Sequence, residues 1–262
     1  MADGKQTGKS KQASADRDEF YVGYLPEAPP ALAQRTKSVI LGLFALVAVV
    51  AVALATSQRP AAVSFFEFGA PRTFEGVVDL EPYPMLRVDR PGARVPSRYY
   101  VVALFKHGAD EQLAPFAGQR VRLEGTLIHR DDQTMLELVD GTVEAIDAGP
   151  QQVSNRRVLD TVTLRGEIVD SKCHLGVMKP GERKPHRACA ELCIRGGIPP
   201  IFLLTDDNDL PVRHLMLVGN DGRALNAEVL DFIAEPLEIT GRVERLDDLW
   251  VLAAEPDTFE RL

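Results

Sequence analysis

The chain has 262 residues and a formal net charge of -8, with 45% hydrophobic and 26% charged residues. That is the composition of ordinary folded protein, long enough for about two domains. A net acidic chain lacks the basic face that displaces counterions from phosphates, which excludes general nucleic-acid binding.

Residues 1–19 are rich in Gly, Lys, Ser, Asp and Gln and lack apolar periodicity. They predict a cytoplasmic tail over residues 1–37, mostly disordered. Inside it, EFYVGYLPEAPPAL sets Phe20, Tyr21 and Tyr24 before Pro26, Pro29 and Pro30. Two readings stand side by side: an extended segment docked on a protein partner, and aromatic side chains at a lipid interface.

From Ser38 to Thr56 the chain reads SVILGLFALVAVVAVALAT, nineteen residues without a charge. As a helix it spans about 28 Å, the thickness of a bilayer core. Arg35 and Lys37 precede it directly and Lys5, Lys9, Lys11 and Arg17 lie further back, whereas only Arg59 and Arg72 follow soon after. The positive-inside rule then puts the N-terminus in the cytoplasm of a bacterium and the bulk outside its inner membrane, periplasmic or extracellular. Ala53-Leu54-Ala55 offers the competing reading, a cleaved signal peptide. Both readings export residues 57–262 to a compartment that permits disulfides.

The exported part contains a repeat. With Gly125 set on Gly241, PFAGQRVRLEGTLIHRDDQTMLEL lies on DFIAEPLEITGRVERLDDLWVLAA without a gap, and TFEGVVD upstream resembles TLRGEIVD. Around each aligned glycine the apolar residues (Val121, Leu123, Leu127; Leu237, Ile239, Val243) alternate as in a strand, and an Asp-Asp turn leads to a second strand. LNAEVLDFIAE, with Asn226 as N-cap and Val229, Phe232 and Ile233 on one face, predicts a short helix before the second hairpin. Leu113 and Phe116 mark a shorter equivalent in the first copy. Three strands, a short helix and a hairpin resemble the OB-fold, a small five-stranded barrel. The expected fold is therefore mainly β: a transmembrane helix over residues 38–56, then tandem OB-like barrels over residues 62–149 and 156–262 joined by the polar segment GPQQVSNRR.

The second copy is 26 residues longer than the first between the corresponding glycines, 75 positions from Gly166 to Gly241 against 49 from Gly76 to Gly125. DSKCHLGVMKPGERKPHRACAELCIRGG falls there and holds all three cysteines with two of the five histidines. It reads as an insertion over residues 173–197, grafted outside the barrel's own core. Pro185 suits a helix start and Gly196-Gly197 a stop, predicting a helix over residues 185–195. His186, Cys189 and Cys193 then share about 60° of the wheel, and the loop through Gly176, Pro180 and Gly181 brings back Cys173 from the strand end.

D-S-x-C, a loop, C-x3-C and a following glycine resemble a motif of small, mostly uncharacterised exported bacterial proteins, over residues 166–205. The resemblance brings no activity and no ligand with it.

Cys173, His186, Cys189 and Cys193 make a Cys3His set suited to zinc or copper, with His174 replacing or supporting His186. A structural disulfide from Cys173 to Cys189 or Cys193, with one thiol left over, is the plainer alternative. A reactive thiol at Cys189 or Cys193 beside His186 is a third. Glu167, Glu182 and Glu191 read as a solvated face, with a base beside a metal-bound water as the competing role. His107, His129 and His214 read as structural or exposed, and Tyr99, Tyr100 and Phe105 as barrel packing. No nucleophile elbow, P-loop, dinucleotide fingerprint or His-Glu-x-x-His occurs, so the chain leans away from being an enzyme. The expected role is a membrane-anchored periplasmic metal-binding accessory or assembly subunit of a membrane complex, a redox complex among the candidates. A disulfide-stiffened interaction module without metal and a thiol-dependent redox enzyme are the alternatives.

Overall fold

A computed structural model describes residues 29–57, 64–147, 149, 151–205, 208 and 210–262. Phe20, Tyr21 and Tyr24 lie outside the described residues. Two compact units divide the chain at Ala61. In the first, helix α1 (Pro30–Ser57) runs for 28 residues. It starts upstream of the apolar run because Pro30 fits a first helical position and ALAQRTK supplies good helix formers. Residues 32–57 are long and apolar enough to cross a membrane.

The second unit holds two closed barrels of five strands. In barrel one, β1 (Ser64–Phe66) is an outlying strand, and the ring is made by β2 (Arg72–Asp79), β3 (Met85–Val88), β4 (Ser97–Val102), β5 (Arg120–Arg130) and β6 (Gln133–Leu138). The short helix α2 (Asp110–Leu113) and a 3-10 turn (Ala114–Phe116) lie between β4 and β5, and β7 (Glu144–Ala145) follows. The ring closes in the order β2-β3-β4-β6-β5-β2, with β4 and β6 parallel and every other pair antiparallel.

Barrel two repeats this wiring. Strands β8 (Arg156–Asp170), β9 (Pro200–Leu204), β10 (His214–Val218), β11 (Leu237–Leu246) and β12 (Leu249–Ala253) close in the same order, with β10 and β12 parallel. Helix α3 (Arg187–Arg195) sits between β8 and β9, and β13 (Phe259–Arg261) adds to β11 as β7 adds to β5. The aligned residues hold equivalent places. Gly76 pairs with Val121 and Gly166 with Leu237, and Asp131 and Asp247 turn their hairpins with φ 54° and 56°.

One expectation about this frame is corrected. LNAEVLDFIAE forms only a 3-10 turn (Leu230–Phe232) and is shorter than its counterpart in barrel one, not longer. Asn226 does not cap it; its side-chain amide donates to the carbonyls of Ile194 (2.8 Å) and Ile198 (2.9 Å), closing the end of α3 instead.

The strands of the parallel pairs, with Met85 and Leu86 of β3 beside them, are apolar on both faces, and period-2 alternation explains why. Leu86, Val101 and Leu136 point into barrel one, and Leu215, Leu217 and Leu252 into barrel two. Their neighbours Met85, Tyr100, Val102, Met135, Met216, Val218, Val251 and Ala253 point outward and pack together as a third core between the barrels. The barrels are thus joined back to back.

Polar contacts at the seam follow a pseudo-two-fold. Arg98 in β4 and His214 in β10 are equivalent, since Tyr100 pairs with Met135 as Met216 pairs with Val251. Each faces the Asp-Asp turn of the other barrel. Arg98 Nε donates to Asp247 (2.7 Å), its backbone N–H donates to Asp248 (2.9 Å), and Nη1 reaches Asp79 (2.8 Å). His214 Nε2 lies 4.0 Å from Asp132.

Candidate metal centre

The symmetry breaks where the first barrel strand ends. Five residues connect β2 to β3, but twenty-nine connect β8 to β9, and these carry the cysteines. The segment is not a graft outside the core, as its sequence implies. Cys173, Leu175, Cys193 and Ile198 are buried in the core between the barrels, and Ala190 and Ile194 in that of barrel two. The insertion fills the space that the extra-long connection opens.

Each residue of Asp-Ser-Lys-Cys is fixed. Asp170, fully buried at the end of β8, accepts the backbone N–H of Cys173 through Oδ1 (2.8 Å), as an N-capping carboxylate does. Cys173 therefore lies in a wide helical turn (Cys173–Val177) just beyond the strand, not at its end. The Ser171 N–H donates to Pro199 O. The buried Lys172 ammonium crosses to barrel one, where Glu137 (2.5 Å) and the carbonyls of Ala103 (2.9 Å) and Phe105 (2.7 Å) accept from it.

After the return loop, Lys184–His186 form a 3-10 turn with Pro185 at its start and lead into α3. Ala190 and Ile194 anchor one face of α3 in barrel two, which leaves Cys189 and Cys193, one position earlier in each turn, on the adjoining face. Gly196 and Gly197 end the helix, the latter at φ 98°. A Cβ at Gly196 would collide with the Lys106 carbonyl, and Gly108 N–H donates to Gly196 O (2.8 Å). Barrel one is therefore pressed on the end of the cysteine helix.

Donor atoms of Cys173, His186 and Cys189 lie within 4.8 Å of one another, as do those of Asp170, Cys173 and Cys193. The two triads share Cys173, whose sulfur is 4.0 Å from that of Cys189. Asp170 Oδ2 lies 2.9 Å from His186 Nε2, and because a carboxylate only accepts, that nitrogen is the donor. A carboxylate behind an imidazole is the usual support of a metal-bound histidine. The neighbouring Cys193 sulfur, then burial and the Asp170 charge, push the Cys173 thiol well above the ordinary cysteine range. The Cys173 neighbour in turn holds Cys193 below that range, against burial and with help from Lys106.

The sequence gives no hint of Lys106. Its Nζ lies 2.8 Å from Cys189 Sγ and 3.5 Å from Cys193 Sγ. Partial burial works against the ammonium, but the bond to Cys189 and the sulfur charges outweigh it and raise its pKa.

Other candidates fall elsewhere. His174 turns away from the thiols: its Nδ1 is 3.3 Å from Arg130 Nη1 and 3.5 Å from Glu182, and its ring meets His214 edge to face at 5.6 Å. Burial lowers its pKa to about 2 and that of His214 to about 4. Glu167 accepts from the Arg183 N–H and Glu191 pairs with Arg195, so the carboxylate at the sulfurs is Asp170. Tyr100 is buried, but in the core between the barrels and not inside barrel one, and Phe105 is 75% exposed at φ 61°. The D-x-x-C capping pattern was a usable signal for Asp170; none existed for Lys106, which comes from the other barrel.

Comparison of the chain with models of protein families, with curated proteins and with solved structures gives no match. Residue chemistry is what remains to assign a role. Thiolates with imidazole and a supporting carboxylate fit a soft or borderline cation such as zinc(II) or copper(I), and fit hard cations poorly.

Proposed function

We propose that the protein is a membrane-anchored, exported metal-binding accessory or assembly subunit of a membrane complex, with both barrels of the OB class. The ring order and its single parallel pair support the OB assignment. The charge-free run in α1, with the basic residues before it, supports an inner-membrane anchor with the N-terminus cytoplasmic. Phe20, Tyr21 and Tyr24 are the residues that would dock on a partner there. The observation that carries the metal reading is the convergence of Cys173, His186 and Cys189 within 4.8 Å, with Cys193 in the overlapping triad. Zinc or copper is the ion, and the complex a redox one.

Metal analysis of the full-length chain tests this, beside Cys173→Ser, which removes the sulfur common to both triads. About one equivalent of zinc or copper per chain, lost in the variant, is expected. The 4.0 Å approach of the Cys173 and Cys189 sulfurs favours the second reading, a disulfide that stiffens an interaction module. A homogeneous Cys173–Cys189 bridge in protein kept non-reduced, with no metal, selects that module.

A further inference from the structure

We infer that Lys106 is the gate of the thiol site: its ammonium occupies the approach to Cys189 and Cys193, and a metal ion must displace it to bind there. The inference rests on the metal-site reading and adds to it a residue from the other barrel. Lys106 Nζ touches both sulfurs and lies 3.4 Å from the Cys189 carbonyl. An ammonium has donors but no lone pair, so it stands against the sulfurs as a rival cation, not as a fourth ligand.

The placement is built from several sides. The turn after β4 is closed by Ala103 N–H donating to His107 O, as its counterpart in barrel two is closed by Gly219 N–H donating to Arg223 O. In that counterpart Gly222 stands where Lys106 stands here, at φ 86°. Lys172 holds the turn through the carbonyls of Ala103 and Phe105, and Gly108 ties it to Gly196 at the end of α3. The same Asp-Ser-Lys-Cys segment that supplies Cys173 thus clamps the turn that carries the rival cation. Phe105, next to Lys106, is kept at positive φ with its ring exposed, a conformation that persists only where its surroundings fix it. Metal entry therefore replaces an ammonium–sulfur contact and any remaining S–H bonds with metal–sulfur bonds, the thiol protons leaving to solvent, while the clamp stays in place and Lys106 swings towards solvent.

The test uses the full-length chain in detergent, with zinc(II) and copper(I) as separate probes competed against a chromophoric chelator. Lys106→Met keeps the length and removes the charge, and Lys106→Arg keeps the charge. The expected result is metal affinity about tenfold or more higher in Lys106→Met and near wild type in Lys106→Arg. Reductive methylation read by mass spectrometry needs no variant: Lys106 should be modified slowly in the metal-free chain and faster with metal bound, the other lysines serving as controls. Equal or weaker affinity in Lys106→Met, or equal methylation with and without metal, overturns the gate and leaves the metal site standing. If neither wild type nor Lys106→Met binds either ion, the metal-site reading falls and the gate falls with it.

Discussion

His214 and Arg98 show what one residue decides at the seam. Arg98 is buried and satisfied by Asp79, Asp247 and Ser154, whereas both ring nitrogens of His214 are buried without a hydrogen-bond partner among the described residues. Burial lowers the His214 pKa from 6.5 to about 4, so the unfolded chain binds the proton more readily. Its contribution is complete above about pH 6.5 and is lost as pH falls towards 4, at most about 3 kcal/mol. Chemical denaturation across this range should show the loss, and His214→Leu should flatten the slope. An unchanged slope in the variant would contradict the assignment. Lys172 is a buried charge of the other kind, paired with Glu137 between the barrels. Lys172→Met leaves that carboxylate and two carbonyls without their donor and should cost about 3–5 kcal/mol in a urea titration. These residues were hard to read in the sequence because their partners lie in the other barrel. Cys173, His186, Cys189 and Cys193 were legible because helical spacing and a local return loop gather them.

At the scale of elements, the repeat disclosed the barrels because strand period, hairpin glycines and Asp-Asp turns are local signals. It also located the insertion, since a length difference between copies needs no knowledge of contacts. What it did not disclose is that the insertion is core. Leu175 and Ile198 are fully buried between the barrels, and nothing in DSKCHLGVMKPGERK has the periodicity that announces burial. Replacing residues 171–199 with a five-residue loop like the one between β2 and β3 should therefore leave a chain without native near-ultraviolet circular dichroism. A soluble, fully folded product would show that the segment is a graft after all. Leu230–Phe232 forms a 3-10 turn where the N-cap signal of Asn226 points to a helix, because Asn226 serves α3 instead.

For the whole molecule, the back-to-back seam is the main consequence of the sequence pattern. SRYYVV and HLMLV are too apolar for strands with one wet face, and the outward residues Tyr100, Val102, Met216 and Val218 account for the excess. The barrels share a core, so residues 62–262 should unfold in one calorimetric transition, with van't Hoff and calorimetric enthalpies in agreement. Two separated transitions would mean that the seam is weak. The pseudo-two-fold also explains the site's position. The turn after β10 meets the β2–β3 connection, where Leu225 N–H donates to Tyr83 Oη (3.1 Å), and by the same relation the turn bearing Lys106 meets the enlarged β8–β9 connection. A duplicated barrel with one expanded loop thus yields a thiol site walled by both halves. The most direct measurement is the metal content of the full-length protein purified without chelators, beside Cys173→Ser and His186→Ala. The account predicts about one zinc or copper ion per wild-type chain and a marked loss in both variants; a metal-free wild-type chain, or equal content in all three, would contradict it.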